Sequence, residues 1–257
     1  MKLRIDINCD LGETPDRFKA GHDAEIMPFI TSANVACAFH AGDPTVMAQT
    51  VGLAKENEVA IGAHPGFPDF AGFGRRDMGL SKEEVENIII YQVGALEAFA
   101  RAANVDLQHI KPHGALYNAA VKNEVYADAL IKAVHAINSK LVLFAMADSK
   151  LAKQAAATGL TVAHEIFADR EYNPDGSLVS RNISGAVIND AKLAAMRAVK
   201  MIKDKKVTAI DGRIVKFNEV HTICIHGDNL NAAELAKSLR NELLAENVEV
   251  VSVSSLI

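Results

Sequence analysis

Residues 3–13 read LRIDINCDLGE: a short β-branched run, Leu3 to Asn8, that gives way at once to Asp10, Gly12 and Glu13. A strand that ends on acids and a glycine is how a βα unit begins when something must be held at the strand's carboxyl end. The same grammar recurs along the chain. Strand-like runs are expected near Ala33 to Phe39, Ala60 to Ala63, His109 to Pro112, Leu141 to Ala145, Thr161 to Glu165, Thr222 to Ile225 and Glu249 to Val253. Between them lie helical patterns at Pro44 to Asn57, Ser81 to Ala103, Glu124 to Ile137, Ser149 to Thr158, Val187 to Asp204 and Ala232 to Glu246. Asp43 is placed to cap the first of these, and Ser81 with Glu84 forms a capping box at the start of the second. Alternation of this kind predicts the α/β class, with parallel strands joined by helical crossovers, and eight candidate strands is a barrel-like count. No low-complexity tract, short-period repeat or linker divides the chain, so residues 1–257 are expected to form a single unit.

Composition agrees with that class and excludes others. Apolar residues make up 49% of the 257 while aromatics make up 5%, with no Trp, which describes a core of Ala, Val, Ile and Leu. The formal charge of -5, from 32 acidic and 27 basic residues, leaves no dominant basic face for a phosphate backbone, so nucleic acid is not an expected partner. Lys200, Lys203, Lys205 and Lys206 fall at a predicted helix end, where cations suit the helix dipole. Cys9, Cys37 and Cys224 lie far apart in apolar runs and read as buried free thiols, which favours a reducing compartment. The first residues lack an apolar signal-peptide core, and no apolar stretch approaches the roughly 18 residues that would span a bilayer. A cytoplasmic protein with no membrane partner is the expectation.

Two stretches break the alternation. Residues 62–79 hold five of the sixteen glycines and two of the seven prolines, and residues 170–184 contain the turn Asn173-Pro174-Asp175-Gly176. Both are expected to be long loops after strands, the usual place for binding residues.

Polar and titratable residues cluster just beyond the predicted strands, where a parallel sheet gathers its loops on one face. The first strand delivers Asn8, Asp10 and Glu13, the second His40, Gly42 and Asp43, and the third His64 with Arg75 and Arg76 in the loop that follows. The fourth delivers Lys111, His113 and Tyr117, the sixth Glu165, Asp169, Arg170 and Tyr172, and the seventh His226 and Asp228. His22, His109, His135, His164 and His221 do not sit at a predicted strand exit and read as structural. Asp43 serves equally as a helix cap or a functional carboxylate. Arg75 and Arg76 suit bidentate capture of carboxylate or phosphate, although their loop matches neither a Walker pattern nor GxGxxG. Asp10, His64 and His113 offer one carboxylate and two imidazoles to a divalent metal, and the same groups serve as acids and bases without one.

The runs DINCDLGE (6–13), SANVACAFHAGD (32–43), IGAHPGFPDFAGFGRR (61–76), KPHGALYN (111–118), EIFADREY (165–172) and IHGD (225–228) together resemble the LamB/YcsF family, in the expected order over nearly the whole chain. The resemblance implies the A subunit of a prokaryotic ATP-dependent 5-oxoprolinase. With separate B and C subunits, it opens the lactam of 5-oxo-L-proline to L-glutamate while ATP becomes ADP and phosphate. It further implies an irregular parallel (β/α) barrel similar to the glycoside hydrolase/deacetylase superfamily, whose carbohydrate deacetylases hold a metal on one Asp and two His. By strand order those positions are Asp10, His64 and His113 here. For a lactam whose oxygen is first phosphorylated, Lys111, Arg75 and Arg170 would meet phosphate, His64 or Asp10 would activate water, and His113 or Glu165 would protonate the ring nitrogen. Asn8, Glu13, His40, Arg76, Tyr117 and His226 complete the expected substrate- or phosphate-binding set. Two rival readings are a metal-dependent amide or carbohydrate deacetylase and a non-catalytic partner-binding subunit. The second fits less well, because a binding surface needs apolar anchors where these segments gather titratable groups.

Overall fold

The computed structural model describes residues 2–13, 22–227 and 231–257; Asp228 lies outside them. In chain order the elements are β1 (Arg4–Leu11), α1 (Asp23–Ile26), β2 (Ser32–Ala36), α2 (Pro44–Glu56), β3 (Ala60–His64), α3 (Lys82–Ala102), β4 (Leu107–Ile110), α4 (Gly114–Lys122), α5 (Glu124–Asn138), β5 (Val142–Met146), α6 (Lys150–Ala157), β6 (Val162–Phe167), α7 (Ala191–Asp204), β7 (Lys206–Thr208), β8 (Ile214–Lys216), β9 (Thr222–His226), α8 (Ala232–Ala245) and β10 (Glu249–Val250). Among the described residues, β1, β2, β3, β4, β5, β6 and β9 follow one another in a ring that closes through β1 and β9, every pairing parallel. The fold is therefore an α/β barrel of seven staves with its helices outside.

The expected eighth stave is the point of difference. Glu249 and Val250 pair with Arg4 and Ile5 alone, at the start of β1. From Asp6 onward the same edge of β1 is taken by β9, Asp6 opposite Thr222 through Asp10 opposite His226. A strand has two edges, and the eight residues of β1 are long enough to share one of them between two partners. The short β7–β8 hairpin and helix α4 are also absent from the periodicity; α4 begins right after His113, inside a run expected to be only a strand exit.

Helix starts follow local chemistry. The Asp43 carboxylate accepts from the Thr45 and Val46 amides with Pro44 in the first turn, and Ser81 and Glu84 form the full capping box. All three cysteines are free and buried. The hydrophobic core lies between staves and helices, where Ile5, Ile7, Leu11, Val35, Ile61, Ile110, Leu143, Ile223 and Ile225 are almost wholly buried.

The barrel interior is different in kind. Side chains alternate along a strand, so Asp6, Asn8 and Asp10 share the opposite face of β1 from Ile5 and Ile7. They meet Ser32 and Asn34 of β2, Thr222 of β9 and Glu165 of β6 in hydrogen bonds that cross the ring. His109 reaches from β4 past β3 to Asn34 Oδ1 at 2.8 Å. Gly62 of β3 makes that reach possible, because a Cβ there would stand 2.1 Å from the imidazole. A small apolar layer of Val142, Phe144, Ala163 and Val253 forms the remaining fill, with Phe144 stacked on His109 at 4.1 Å. No helix among the described residues is long and apolar enough to cross a membrane.

Candidate active site

The carboxyl ends of β1, β3, β4, β6 and β9 converge, and each delivers a titratable group as the strand exits predict. Asp10 is on β1 and Glu13 just past it, His64 ends β3, Lys111 follows β4, His113 immediately precedes α4, Glu165 is on β6 and His226 ends β9. His40 comes in from the loop between β2 and α2. All but His226 are nearly inaccessible, with exposures from 0% to 8%.

Glu13, His40, His64 and His113 form one nest, their ligand-capable atoms all within 4.8 Å of one another. Glu13 Oε1 is 2.9 Å from His40 Nε2 and 3.1 Å from His113 Nδ1. His40 and His113 stack face to face at 3.8 Å. Gly74, at φ +61°, lets the chain pass this stack, since a Cβ would lie 2.7 Å from His40 and 2.8 Å from His113.

The hydrogen bonds fix the tautomers. His64 Nδ1 faces the Lys111 carbonyl at 2.6 Å and His113 Nε2 faces the Phe73 carbonyl at 2.8 Å. Carbonyls only accept, so both nitrogens carry protons and the inward nitrogens, His64 Nε2 and His113 Nδ1, hold lone pairs when the rings are neutral. Those two atoms are 3.1 Å apart, with Glu13 Oε1 3.6 Å and Asp10 Oδ2 3.5 Å from His64 Nε2. Four acceptors converging in one place suit a shared proton or a metal ion. Burial opposes a charged His64, but the carboxylates of Asp10 and Glu13 outweigh it and hold its pKa up. Burial also works against ionised Asp10 and Glu13, yet His64 with Lys111, and His113 with His40, hold the two carboxyls well below their ordinary range. His40 is pushed down to about 4 by burial and by His113.

A second group lies beside the first. Lys111 Nζ donates to Asp10 Oδ1 at 2.8 Å, to Cys224 Sγ at 2.9 Å and to Asn8 Oδ1 at 3.2 Å, and is 3.1 Å from Glu165 Oε1. Burial disfavours its charge, but the carboxylates of Asp10 and Glu165 keep it an ammonium well above its usual range. Tyr117 donates to Glu165 Oε2 at 2.7 Å. Asp10, Cys224 and His226 also sit within metal-ligand distance of one another, but the ammonium already supplies the cation for that cluster. His226 Nδ1 is 2.9 Å from the buried Asp169 carboxylate, leaving Nε2 as its other ring nitrogen. Burial raises the Asp169 pKa and His226 more than offsets it, so Asp169 is an anion.

Above these groups opens a cavity of about 500 Å³, lined by Asp10, His64, Lys111, His113, Tyr117 and His226 at its floor and by residues of the 75 and 178–183 loops at its mouth. Asn8, Glu13, His40 and Glu165 are buried and do not line the cavity. Arg75 and Arg170 line the cavity, Arg75 with its guanidinium 4.8 Å above the Phe73 ring. Arg76 does not; it turns to Asp69, its Nε 3.0 Å from Oδ2. The strand exits point to Asp169 without giving it a role, and they miss three other residues of the site. Cys224 reads only as a thiol, although its period-two spacing with Thr222 and His226 puts it on the inner face. Asn34 carries the same alternation signal from Ser32, and Arg181 lies in a loop already expected to bind.

A protein-family model described as the LamB/YcsF family matches residues 5–257. The chain is 53% identical over 255 residues to a protein of Pyrococcus abyssi named as the A subunit of 5-oxoprolinase, covering 99% of this chain and 100% of that one. Among solved structures it resembles a lactam utilization protein from Thermus thermophilus, with a TM-score of 0.90, 44% identity, and coverage of 97% and 100%. A deacetylase solved with its substrate shares the fold at a TM-score of 0.51 and 14% identity, covering 99% of this chain and 90% of that one.

Proposed function

The chain belongs to the LamB/YcsF family, and on that premise we propose that it is the A subunit of an ATP-dependent 5-oxoprolinase, opening the lactam of 5-oxo-L-proline to L-glutamate. The observation that carries this reading is the pairing, in one cavity, of a carboxylate–imidazole nest with a buried ammonium and a separate Asp–His pair. Opening a lactam needs a base for water, positive charge near the carbonyl oxygen and a proton for the departing nitrogen.

His64 and Asp10, on the cavity floor, stand where water would be activated, with Glu13 and His113 sharing the proton load. Lys111, held charged by Asp10 and Glu165, supplies fixed positive charge. His226, its Nδ1–H held by the Asp169 carboxylate, would in its doubly protonated form give the Nε2 proton to the ring nitrogen. Glu165 is saturated by Asn8, Lys111 and Tyr117 and does not line the cavity, so we place it as a positioning group in preference to an acid.

A divalent metal fits the donor set better through Glu13, His40, His64 and His113 than through the Asp10–His64–His113 trio, because the ligand atoms of those four all lie within 4.8 Å of one another, while Asp10 is drawn through Oδ1 to Asn34 and Lys111. When bound, such an ion would polarise a carbonyl and make water more acidic. ATP as co-substrate and B and C subunits as partners complete the proposal. Glutamate release from 5-oxo-L-proline, measured with and without ATP, for the chain alone and with both partner subunits, tests it. Release that depends on this chain, ATP and both partners supports the reading. ATP-independent release abolished by chelators would favour the deacetylase-like amide hydrolase instead.

A further inference from the structure

His109 is wholly buried on β4, inside the barrel, against a layer that otherwise holds Val142, Phe144, Ala163 and Val253. An apolar side chain would pack there against the Phe144 ring, which stacks on the imidazole at 4.1 Å. The imidazole instead leaves Nδ1 buried with no hydrogen-bond partner among the described residues. An orphaned polar atom of that kind costs stability, and the reason to keep an imidazole here lies at its other nitrogen.

His109 Nε2 is 2.8 Å from Asn34 Oδ1. The Asn34 amide in turn donates through Nδ2 to Asp10 Oδ1 and to Asn8 Oδ1, both at 2.8 Å. The proton directions are set from the cavity end. Asp10 is ionised and its oxygens only accept, so the amide presents its NH2 to them and its carbonyl to His109. His109 Nε2 therefore carries the proton of the ring. Burial, with Lys111 and His64 nearby, lowers the His109 pKa to about 3, so the ring stays neutral and has that one proton to give. Asp10 Oδ1 is then held from two sides, by Asn34 and by Lys111 Nζ at 2.8 Å, and Oδ2 is the oxygen that faces His64 Nε2 at 3.5 Å.

We propose that His109 and Asn34 are positioning residues that act in series: the His109 Nε2–H fixes the sense of the Asn34 amide, and that amide turns Asp10 so that Oδ2 faces His64 and the cavity. Without the imidazole donor the Asn34 carbonyl is left buried and unpaired, and the hold of the amide on Asp10 is set against its own need for a partner. What Asp10 does in turnover is taken from the amide-hydrolysis reading; its alignment is measured without turnover.

The variants are His109→Leu, which fills the layer without a donor, His109→Gln, which keeps an N–H near the position of Nε2, Asn34→Ala, and Val142→Ala, which opens space in the same layer away from the hydrogen bonds. Glutamate release by the full chain with both partner subunits should show kcat reduced about 10-fold or more in His109→Leu and in Asn34→Ala, with KM changed less than about 3-fold, the pattern of a misaligned catalytic group. The double variant should be no slower than the slower single one, because the two residues form one chain of contacts. His109→Gln should recover most of the rate, while Val142→Ala lowers Tm and leaves kcat as it was. Crystal structures of the variants read the alignment directly: the Asp10 carboxylate should be rotated from its wild-type position in His109→Leu and in Asn34→Ala, and kept in His109→Gln. In wild-type protein with isotope-labelled histidine, the nitrogen resonances that are missing from His109→Gln should report a neutral ring protonated at Nε2. A ring protonated at Nδ1, an Asp10 carboxylate unmoved in both His109→Leu and Asn34→Ala, or kcat losses that simply follow Tm across the variants would overturn the relay. If His109→Leu fails to fold, Asn34→Ala and the nitrogen spectrum carry the test. A wild-type complex that releases no glutamate would count against the proposed reaction alone, since the carboxylate position and the ring proton are read without it.

Discussion

Replacing Lys111 with Met is the most informative single perturbation. The ammonium is 2.8 Å from Asp10 and 3.1 Å from Glu165 and is 3% exposed. At an effective dielectric constant near 20, each contact is a charge–charge attraction of roughly 5 kcal/mol, set against the cost of dehydrating all three groups. Removing one member of such a buried set commonly destabilises by about 3–5 kcal/mol, because carboxylates are left facing one another. That is a large part of the roughly 5–15 kcal/mol that holds a typical protein folded. The effect should depend on pH, and its sign is fixed. Asp10 has a depressed folded pKa in the wild type, so its contribution is present above the unfolded value near 3.8 and is lost as pH falls through the folded one. Without Lys111 part of that contribution is lost, His64 keeping the rest, and the carboxyls accept protons earlier. The deficit, measured by urea unfolding from pH 7 to pH 4, should therefore shrink as pH falls. Adding Glu165→Gln should recover part of the loss at pH 7. A deficit below about 1 kcal/mol at pH 7, or one constant with pH, would refute the claim that Lys111 neutralises this floor.

Three further outcomes are expected. Asp169→Asn should fold normally yet lower kcat by about 10-fold or more and alter the pH–rate profile, since His226 would lose its oriented tautomer; an unchanged profile would remove the pair from the chemistry. Gly62→Ala should cost several kcal/mol in thermal unfolding, roughly the scale of an overpacked core site, because its methyl would meet the His109 ring, and a wild-type Tm would contradict the crossing of the barrel by that side chain. Protein purified without added metal and then titrated with zinc should bind it with affinity reduced about 10-fold or more in Glu13→Gln, but little changed in Asp169→Asn; equal effects would argue against the Glu13 nest as the metal position.

Much of this is legible in the residues. Strand exits such as Asp10-Leu11-Gly12-Glu13 and Lys111-Pro112-His113 announce themselves, because packing alone gives a β-branched run no reason to stop on His, acid or Lys time after time. The stave count is not legible: Glu249 to Val253 reads as a good strand, and only the register of β9 along β1 shows that the ring is already closed. Arg76 and Arg75 are equivalent as neighbours in sequence, and it is the turn at Asp69 that sends one to the cavity and the other to a carboxylate. Glu13 and His40 stand out in the sequence as binders but not as companions of His64 and His113, because 27 residues of chain separate them and no local spacing encodes a contact made by loop closure.

The hydrogen-bonded filling of the barrel has a consequence for how the chain finds its alignment. Slide β1 by one position against its neighbours and Asp6, Asn8 and Asp10 would turn out into the greasy layer under the helices, while Ile5 and Ile7 would be thrust among amides and carboxylates. Every mistake of that size is penalised on both faces at once. A lumen of aliphatic side chains would tolerate such slippage far better, so the polar interior acts as a ratchet that admits one alignment of the staves.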